Sequence, residues 1–499
     1  MTRLPSSGRP AVDYEVVIVG AGFSGIGQAI ALKRAGQHDF VLLEKSSGVG
    51  GTWRENTYPG VSCDAPSQLY SYSFEPDPGW TRTFAPGQAL HDYLQRCVAK
   101  YYVEPHLRLD TILLAANFAE RSATWELTVA TGDGRSSQLR CRSLVLALGP
   151  LHVPANPDIP GLLDFSGPLL HTAAWDRAVS LRGRRVGVVG TGTSAVQLVP
   201  AIVEEVAELT VFQRTAPWVL PRRNAPLGPL HRRLLERFPA LMRWRRWRAL
   251  RLAEALAPAF TRQAWQLGLL RRRALGHLRS QVHDPSLRAA LTPTDVIGCR
   301  RVVRSSDYLP VFGRPHVRLD TAPIRRVTGS GVVTGSGHTG LDVLVLATGF
   351  IPGGSYLLAD VTGLGGRVLG REWANEATAY YGVMVAGFPN LFTLLGPNSG
   401  LGHTAVLPVA EAQARFIVSA ISERDRRGAV SVQVRPAAQE RFNAAVRRSS
   451  ARSVWLTGCS SWYLDRDGAN RAIWPWSVRR YEQRTATLHT DDLWFVWLG

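Results

Sequence analysis

The sequence predicts an α/β fold of two doubly wound parallel-sheet units in tandem, the second carrying a helical insertion. Three observations predict it. A hydrophobic run near the N-terminus leads into a glycine turn, a helical segment and a second hydrophobic run. The same order returns near residue 186. From about 222 to 295 the pattern changes to helical periodicity rich in Arg, Leu and Trp.

The first unit opens with Val16 to Val19, followed by Gly20-Ala21-Gly22-Phe23-Ser24-Gly25. A helix-like segment runs from Ile26 to Ala35, and a strand from Phe40 to Leu43 ends in Glu44. Gly20 permits the tight turn, Gly22 lets backbone approach a pyrophosphate, and Gly25 lets helix and strand pack closely. The free N–H groups of the helix start face the phosphate. The second unit repeats this with Val186 to Val189 and Gly190-Thr191-Gly192-Thr193-Ser194-Ala195. A helix from Val196 to about Val206, a strand from Leu209 to Phe212, and Gln213-Arg214-Thr215 follow. Glu44 lies 24 residues after Gly20, and Arg214 lies 24 residues after Gly190. A carboxylate in that slot accepts from ribose hydroxyls and repels a 2′-phosphate; an arginine grips a 2′-phosphate through two N–H groups. The two Rossmann-like units therefore read as an FAD site and an NADPH site. Arg214 keeps a plainer alternative, a solvated surface arginine.

At 499 residues the chain is long enough for two or three domains. The pattern divides it into a discontinuous FAD unit, 1–150 with 340–499, and an NADPH unit, 151–339, that includes the insert. Cysteines 63, 97, 141, 299 and 459 form no CxxC pair. That odd, scattered set argues against a disulfide framework, for a reducing cytoplasmic setting, and against a dithiol flavoprotein. No apolar leader precedes the first strand and no run of 18 apolar residues occurs, so neither a signal peptide nor a spanning helix is expected. No metal site is expected. The net charge of +19 raises nucleic acid as a partner. Only Lys33, Lys45 and Lys100 are lysine, so 55 of the 58 basic residues are arginine. Nucleic-acid proteins use both, and no nucleic-acid partner is expected.

The rest follows in order. Gly48 to Trp53 (GVGGTW) and Arg54 to Phe74 are turn-rich and aromatic, which suits a partly buried loop over a cofactor. Asp64 lies in that loop, and a carboxylate there needs a partner, an arginine, unless it merely caps a turn. Helix signals run from Gly87 to Tyr102. Strands follow over Leu107 to Phe118 and Thr124 to Val129, with a hairpin turn at Gly132-Asp133-Gly134 and a buried strand from Ser143 to Leu148. Pro150 to Gly161 is a proline-rich crossover. Within the insert, Met242 to Leu250 is basic and aromatic; it is either a solvated helical face or a surface for an anionic membrane. Asp342 to Phe350 is a buried strand that returns the chain to the first unit. Asn390 to Gly402 feeds a glycine loop, and the helix-like stretch His403 to Ser422 aims its start at the flavin. The aromatic tail, Ser460 to Trp476, either lines a pocket or seals the core.

Between the two fingerprints stands Phe165-x-Gly167-x-x-x-His171-Thr172-x-x-Trp175-Asp176. With it the chain resembles the class B flavoprotein monooxygenases, specifically the Baeyer–Villiger monooxygenases, over nearly its whole length. The GPNSGLGHTA and SSWYLD segments look like an actinobacterial subgroup. The resemblance implies Asp64 and Arg301 as active-site residues and Arg214, Thr215 and Arg300 as 2′-phosphate contacts. Relatives more often carry Lys at position 300, and Arg changes the geometry there. It also implies cofactor contacts at Ser24, Thr52, Trp53, Tyr70, Ile112, Thr193 and Ser194, with Asp64 and Arg301 facing the cofactors as well. The implied cycle passes hydride from NADPH to FAD and forms a C4a-peroxyflavin with O₂. One oxygen is then inserted beside a ketone carbonyl to give an ester or lactone, or passed to a sulfide. The implied partners are O₂ and an apolar ketone or sulfide. The signature residues read as hinge and cofactor-positioning groups, or, for His171, as a structural histidine. Two rivals stay open: an N- or S-oxygenase on the same scaffold, and a flavin-binding protein recruited elsewhere by its basic helices.

Overall fold

The computed structural model describes residues 10–357, 360–465 and 467–497. The first sheet has eight strands, and both ends of the chain build it. Tyr14–Val19 lies between Phe40–Leu43 and the C-terminal half of Ser136–Leu146, all parallel. The N-terminal half of Ser136–Leu146 instead joins Thr124–Thr131 and Thr111–Ala119 in an antiparallel meander. From the far end of the chain, Leu391–Thr393 pairs with Ser136–Leu146 and Asp360–Thr362 with Thr111–Ala119. Tyr14–Val19 and Phe40–Leu43 are buried on both faces, which is why they read as unbroken apolar runs. The helix Phe23–Arg34 covers this sheet together with the long helix Leu407–Arg426.

The second sheet is wholly parallel, in the order Val317–Asp320, Glu208–Phe212, Arg185–Val189, Val343–Leu346, Leu169–His171. This corrects the boundary read at 340. Val343–Leu346 sits between Arg185–Val189 and Leu169–His171, so the chain leaves the second unit only after it. A buried apolar strand carries no mark of which sheet it joins. Other ends shift modestly: the helices run Phe23–Arg34, Gly87–Lys100, Thr193–Ile202 and Leu407–Arg426, and Leu107–Arg108 is separate from Thr111–Ala119.

The insert is helical from Pro229 to Ala290. One of its arginines faces inward: Arg246 donates to the carbonyls of Gln68 (2.8 Å) and Ser71 (2.7 Å) and lies 3.5 Å from the buried carboxylate of Glu411. The insert is thereby pinned to the first unit. Trp244 and Trp247 stay half exposed, with Arg248 and Arg251 over their rings. Among the described residues no helix is long and apolar enough to cross a membrane.

The cysteine expectation is also corrected. Cys299 and Cys459 are bonded to each other, while Cys63, Cys97 and Cys141 are free and buried. The two bonded residues are 160 apart in sequence, a spacing that no local motif encodes.

Candidate active site and cofactor clefts

One continuous cavity of about 2130 Å³ runs between the two sheets. A pocket for a single drug-sized molecule holds about 300–1,000 Å³. The space here suits two dinucleotides and a substrate.

At the first sheet the cavity meets the start of Phe23–Arg34. Its N-cap, Gly22, offers no side-chain bond, so the first backbone N–H groups are left for a ligand. Gly20 has φ +104°, and a Cβ there would lie 2.6 Å from the Ala147 carbonyl. Gly25 is fully packed instead: its Cβ would meet Gly20 O at 1.8 Å, and it does not line the cavity. Glu44, 5% exposed, accepts from Ala21 N (2.7 Å) and Ser46 N (2.9 Å), which fixes its carboxylate beside the turn. Tyr70 stands edge-on to Trp53 (5.3 Å) and to Phe23 (5.2 Å). Ser24, Thr52 and Ile112 line the same wall.

At the second sheet Thr193–Ile202 also begins without a side-chain cap, at Gly192. Gly190 has φ +115°, and its Cβ position lies 2.5 Å from Ala347 O. Ala195 replaces the third glycine and is buried without conflict. Thr193, Ser194 and Thr215 line the cavity, and Thr191 Oγ1 donates to Thr215 O (2.8 Å), tying the turn to the next loop. Arg214 is exposed on the wall and has no hydrogen-bond or ion-pair partner among the described residues. Arg300 lies 3.1 Å from Asp295 Oδ2. These uncapped helix starts, with an anchored acid at one and an unpaired arginine at the other, fit FAD and NADPH respectively.

Between the two walls the structure brings together Asp64 and Arg301, 237 residues apart. Arg301 donates to Asp64 Oδ2 through Nε (2.8 Å) and approaches the same oxygen through Nη2 (2.7 Å). The turn-cap alternative for Asp64 gives way to this pair. Burial alone would push the Asp64 carboxyl up. The Arg301 guanidinium, helped by Arg304 and Arg222, outweighs it and holds the group below its usual range. Arg301 is raised in turn, chiefly by Asp64. The pair is therefore fully charged at any working pH.

The loop carrying Asp64 is held from the second unit. Tyr58 donates to Gln197 Oε1 (2.9 Å), and Gln197 Nε2 donates to Ser62 O (2.9 Å). Gly60 sits against this helix, with its Cβ position 2.4 Å from Gln197 O. Arg222 donates to Cys63 O (2.9 Å) and lies over the Phe84 ring. Sequence reasoning missed Tyr58, Gln197 and Arg222. A glutamine on the buried face of a helix was the one available signal.

The signature residues lie off the cavity. Phe165 and Gly167 pack at the edge of the second sheet, where a Cβ at 167 would meet Asp342 O at 2.4 Å. Trp175 packs against the second unit's core, Thr172 is buried, and the exposed Asp176 accepts from Ala178 N (2.8 Å). His171 Nδ1 accepts from Ala173 N (3.0 Å). That leaves Nε2 to donate to Thr348 Oγ1 (3.3 Å), which donates to Ala155 O (2.6 Å). The tautomer follows from this chain of bonds. His171 therefore ties together the two crossovers between the units. Its burial lowers its pKa and keeps the ring neutral.

Two Rossmann-like units, each with a dinucleotide turn facing one shared cavity, define a flavin- and nicotinamide-dependent oxidoreductase. Comparison narrows this. Residues 17–245 match the family described as Pyridine nucleotide-disulphide oxidoreductase. A Baeyer-Villiger monooxygenase of Pseudomonas aeruginosa is 39% identical over 474 residues, 94% of this chain and 89% of that protein. One of Streptomyces coelicolor is 38% identical over 473 residues, covering 94% and 90%. Cyclohexanone monooxygenase from Rhodococcus sp. Phi1 bound to NADP⁺ superposes with a TM-score of 0.87 at 27% identity, covering 98% of this chain and 100% of that one. The chain belongs to the Baeyer–Villiger monooxygenases, and its activity is that of an NADPH-dependent flavin monooxygenase.

Proposed function

We propose that FAD lies across the first glycine turn and NADPH across the second, and that Arg301, held by Asp64, is the fixed cation where oxygen enters beside the carbonyl of an apolar ketone. Sulfides are oxidised at the same place. The flavin supplies hydride uptake and dioxygen activation, and NADPH supplies the hydride. The protein's part is binding, charge and exclusion of water. Glu44 takes the ribose hydroxyls of FAD; Arg214, Thr215 and Arg300 take the 2′-phosphate of NADPH.

The observation that carries this reading is the Asp64–Arg301 pair on the wall between the two clefts. An oxygen anion developing there needs a cation that does not lose its proton, and a guanidinium is such a group. A preorganised donor of this kind is worth roughly 3–4 kcal/mol of barrier. Trp218, Trp462, Leu464 and Ile473 form an apolar wall to the same cavity, which supports an apolar substrate and limits water. Dependence on NADPH, a cytosolic reductant, supports a cytoplasmic location.

The test is Arg301→Ala. The variant is expected to load FAD and to be reduced by NADPH, yet to form no oxygenated product from a ketone panel. Full product formation overturns the assignment.

A further inference from the structure

The helical insert, Pro229 to Ala290, carries most of the chain's net charge. It holds fourteen arginines against Glu236, Glu254 and Asp284, a net charge of +11 out of the chain's +19. The same stretch exposes eight of the eighteen large apolar side chains that stand in solvent among the described residues. A surface helix ordinarily hides its apolar stripe and shows its charges. The helix Pro239–Glu254 reverses this. Arg246 turns inward to the carbonyls of Gln68 and Ser71, and Glu254 accepts from Val478 N (3.0 Å) and meets His403 Nε2 at 2.8 Å. These inward ties leave Arg243, Trp244, Trp247, Arg248, Arg251 and Leu252 exposed at the spacing of one helix face.

The preceding helix, Pro229–Arg237, behaves alike. Leu230 (82% exposed), Arg233, Leu234, Arg237 and Phe238 recur at the period of one helix face, and all stand in solvent. Further on, Trp265, 74% exposed, and Leu269 stand out near Arg272. Arg233, Arg237, Arg243, Arg248 and Arg251 have no ion-pair partner among the described residues. Exposed apolar side chains gathered in this way mark an interaction surface. Its partner must offer anions to the guanidinium groups and an apolar bed to the leucines and rings. A second copy of the same face sets +11 against +11 and is repelled. A sugar–phosphate chain takes the arginines but gives no bed to Leu230, Leu234, Phe238 and Leu252. An anionic lipid surface supplies both: phosphates at the headgroups, where arginines reach and indoles rest, and acyl carbon beneath.

We propose that the exposed face of the insert, built on Trp244, Trp247 and their neighbouring arginines, is a docking site for an anionic membrane surface. The protein rests on the lipid peripherally, since no helix among the described residues is long and apolar enough to cross it. Both stems of the insert line the central cavity, Trp218 before it and Asp295 after it. Docking sets a face joined to the cavity wall against the phase in which an apolar ketone or sulfide accumulates. The cytoplasmic leaflet bears the required charge. The docking itself does not depend on the role given to Arg301.

The experiment is flotation of the FAD-loaded full chain with two kinds of vesicle at roughly 0.15 M salt: phosphatidylcholine alone, and phosphatidylcholine with about one third phosphatidylglycerol. Wild type is expected to bind the anionic vesicles about tenfold more than the neutral ones, and to lose most of that binding at roughly 1 M salt. Two variants are made in the insert: Trp244→Ser with Trp247→Ser, and Arg243→Gln with Arg248→Gln and Arg251→Gln. Each is expected to reduce binding about fivefold, with FAD content, melting temperature and ketone turnover in lipid-free buffer unchanged. A control, Arg121→Gln with Arg182→Gln and Arg448→Gln, removes the same charge from exposed sites elsewhere and is expected to bind as wild type does. Absence of flotation overturns the proposal, as does equal binding to neutral vesicles or an undiminished tryptophan variant. A control that loses as much as the insert's arginine variant makes overall charge the cause and also overturns it. So does wild type held by a uridine oligomer but not by vesicles, which makes the partner a nucleic acid, or a dimer in sedimentation that the tryptophan variant dissolves, which makes it a second copy. If an insert variant loses FAD or melts early, wild type on the two vesicles and the control still decide.

Discussion

Replacing Asp64 by alanine removes both contacts that hold Arg301, at 2.8 Å and 2.7 Å. It also strips Arg222 and Arg304 of the one anion they share with Arg301. Deleting one partner of a fully buried pair costs about 3–5 kcal/mol. Here Asp64 and Arg301 keep 22% and 35% side-chain exposure, so water screens part of the freed charge. Roughly half that loss, about 2 kcal/mol, is expected in urea unfolding of the FAD-loaded variant. The pH dependence gives a second check. The Asp64 carboxyl sits below its ordinary 3.8 in the folded protein. Its stabilisation is complete well above 3.8 and is lost as pH falls through the folded value, and the alanine variant lacks this part of the acid slope. Arg301 remains present but unheld. Product per NADPH should therefore fall about tenfold, less than the 10²–10³ expected when a donor is removed outright. A variant as stable as wild type, with full product per NADPH, refutes the role of the pair.

Two further perturbations follow from the same geometry. Arg214→Ala should raise KM for NADPH by roughly tenfold or more and leave KM for NADH almost unchanged, since a charge-assisted phosphate contact contributes about 1.5–3 kcal/mol; equal changes in steady-state assays make Arg214 a surface charge only. His171 is held neutral with a lowered pKa, so the unfolded chain takes up a proton first as pH falls below about 6.5. Stability from this group is present above that value and declines below it; His171→Gln should flatten the pH 5–7 part of a thermal-melting profile, and an unaltered profile contradicts the neutral tie between the crossovers.

Much of the fold was written locally. Each glycine turn sits where a strand, a tight turn and a helix must meet within about ten residues. Gly20 and Gly190 have to adopt positive φ under a neighbouring carbonyl, which leaves a mark that sequence alone can show. Glu44 and Arg214 were legible for the same reason, since each ends the strand after its turn. What lay hidden was long-range. Val343–Leu346 looks like any buried strand, and only its neighbours assign it to the second sheet. The Cys299–Cys459 bond joins segments 160 residues apart. Gln197 reads as an ordinary helix residue until Tyr58 and Ser62 are seen against it. The Asp64–Arg301 pair was reached from the sequence through family resemblance; spacing alone offered only a carboxylate in need of a partner.

A crystal structure of the protein loaded with FAD and NADP⁺ tests the central claim most directly. The guanidinium of Arg301, still bonded to Asp64, is expected against the flavin ring, with the nicotinamide nucleotide along the Gly190 turn. Arg301 found turned away from the ring in the fully loaded protein, with another cation or none in its place, contradicts it.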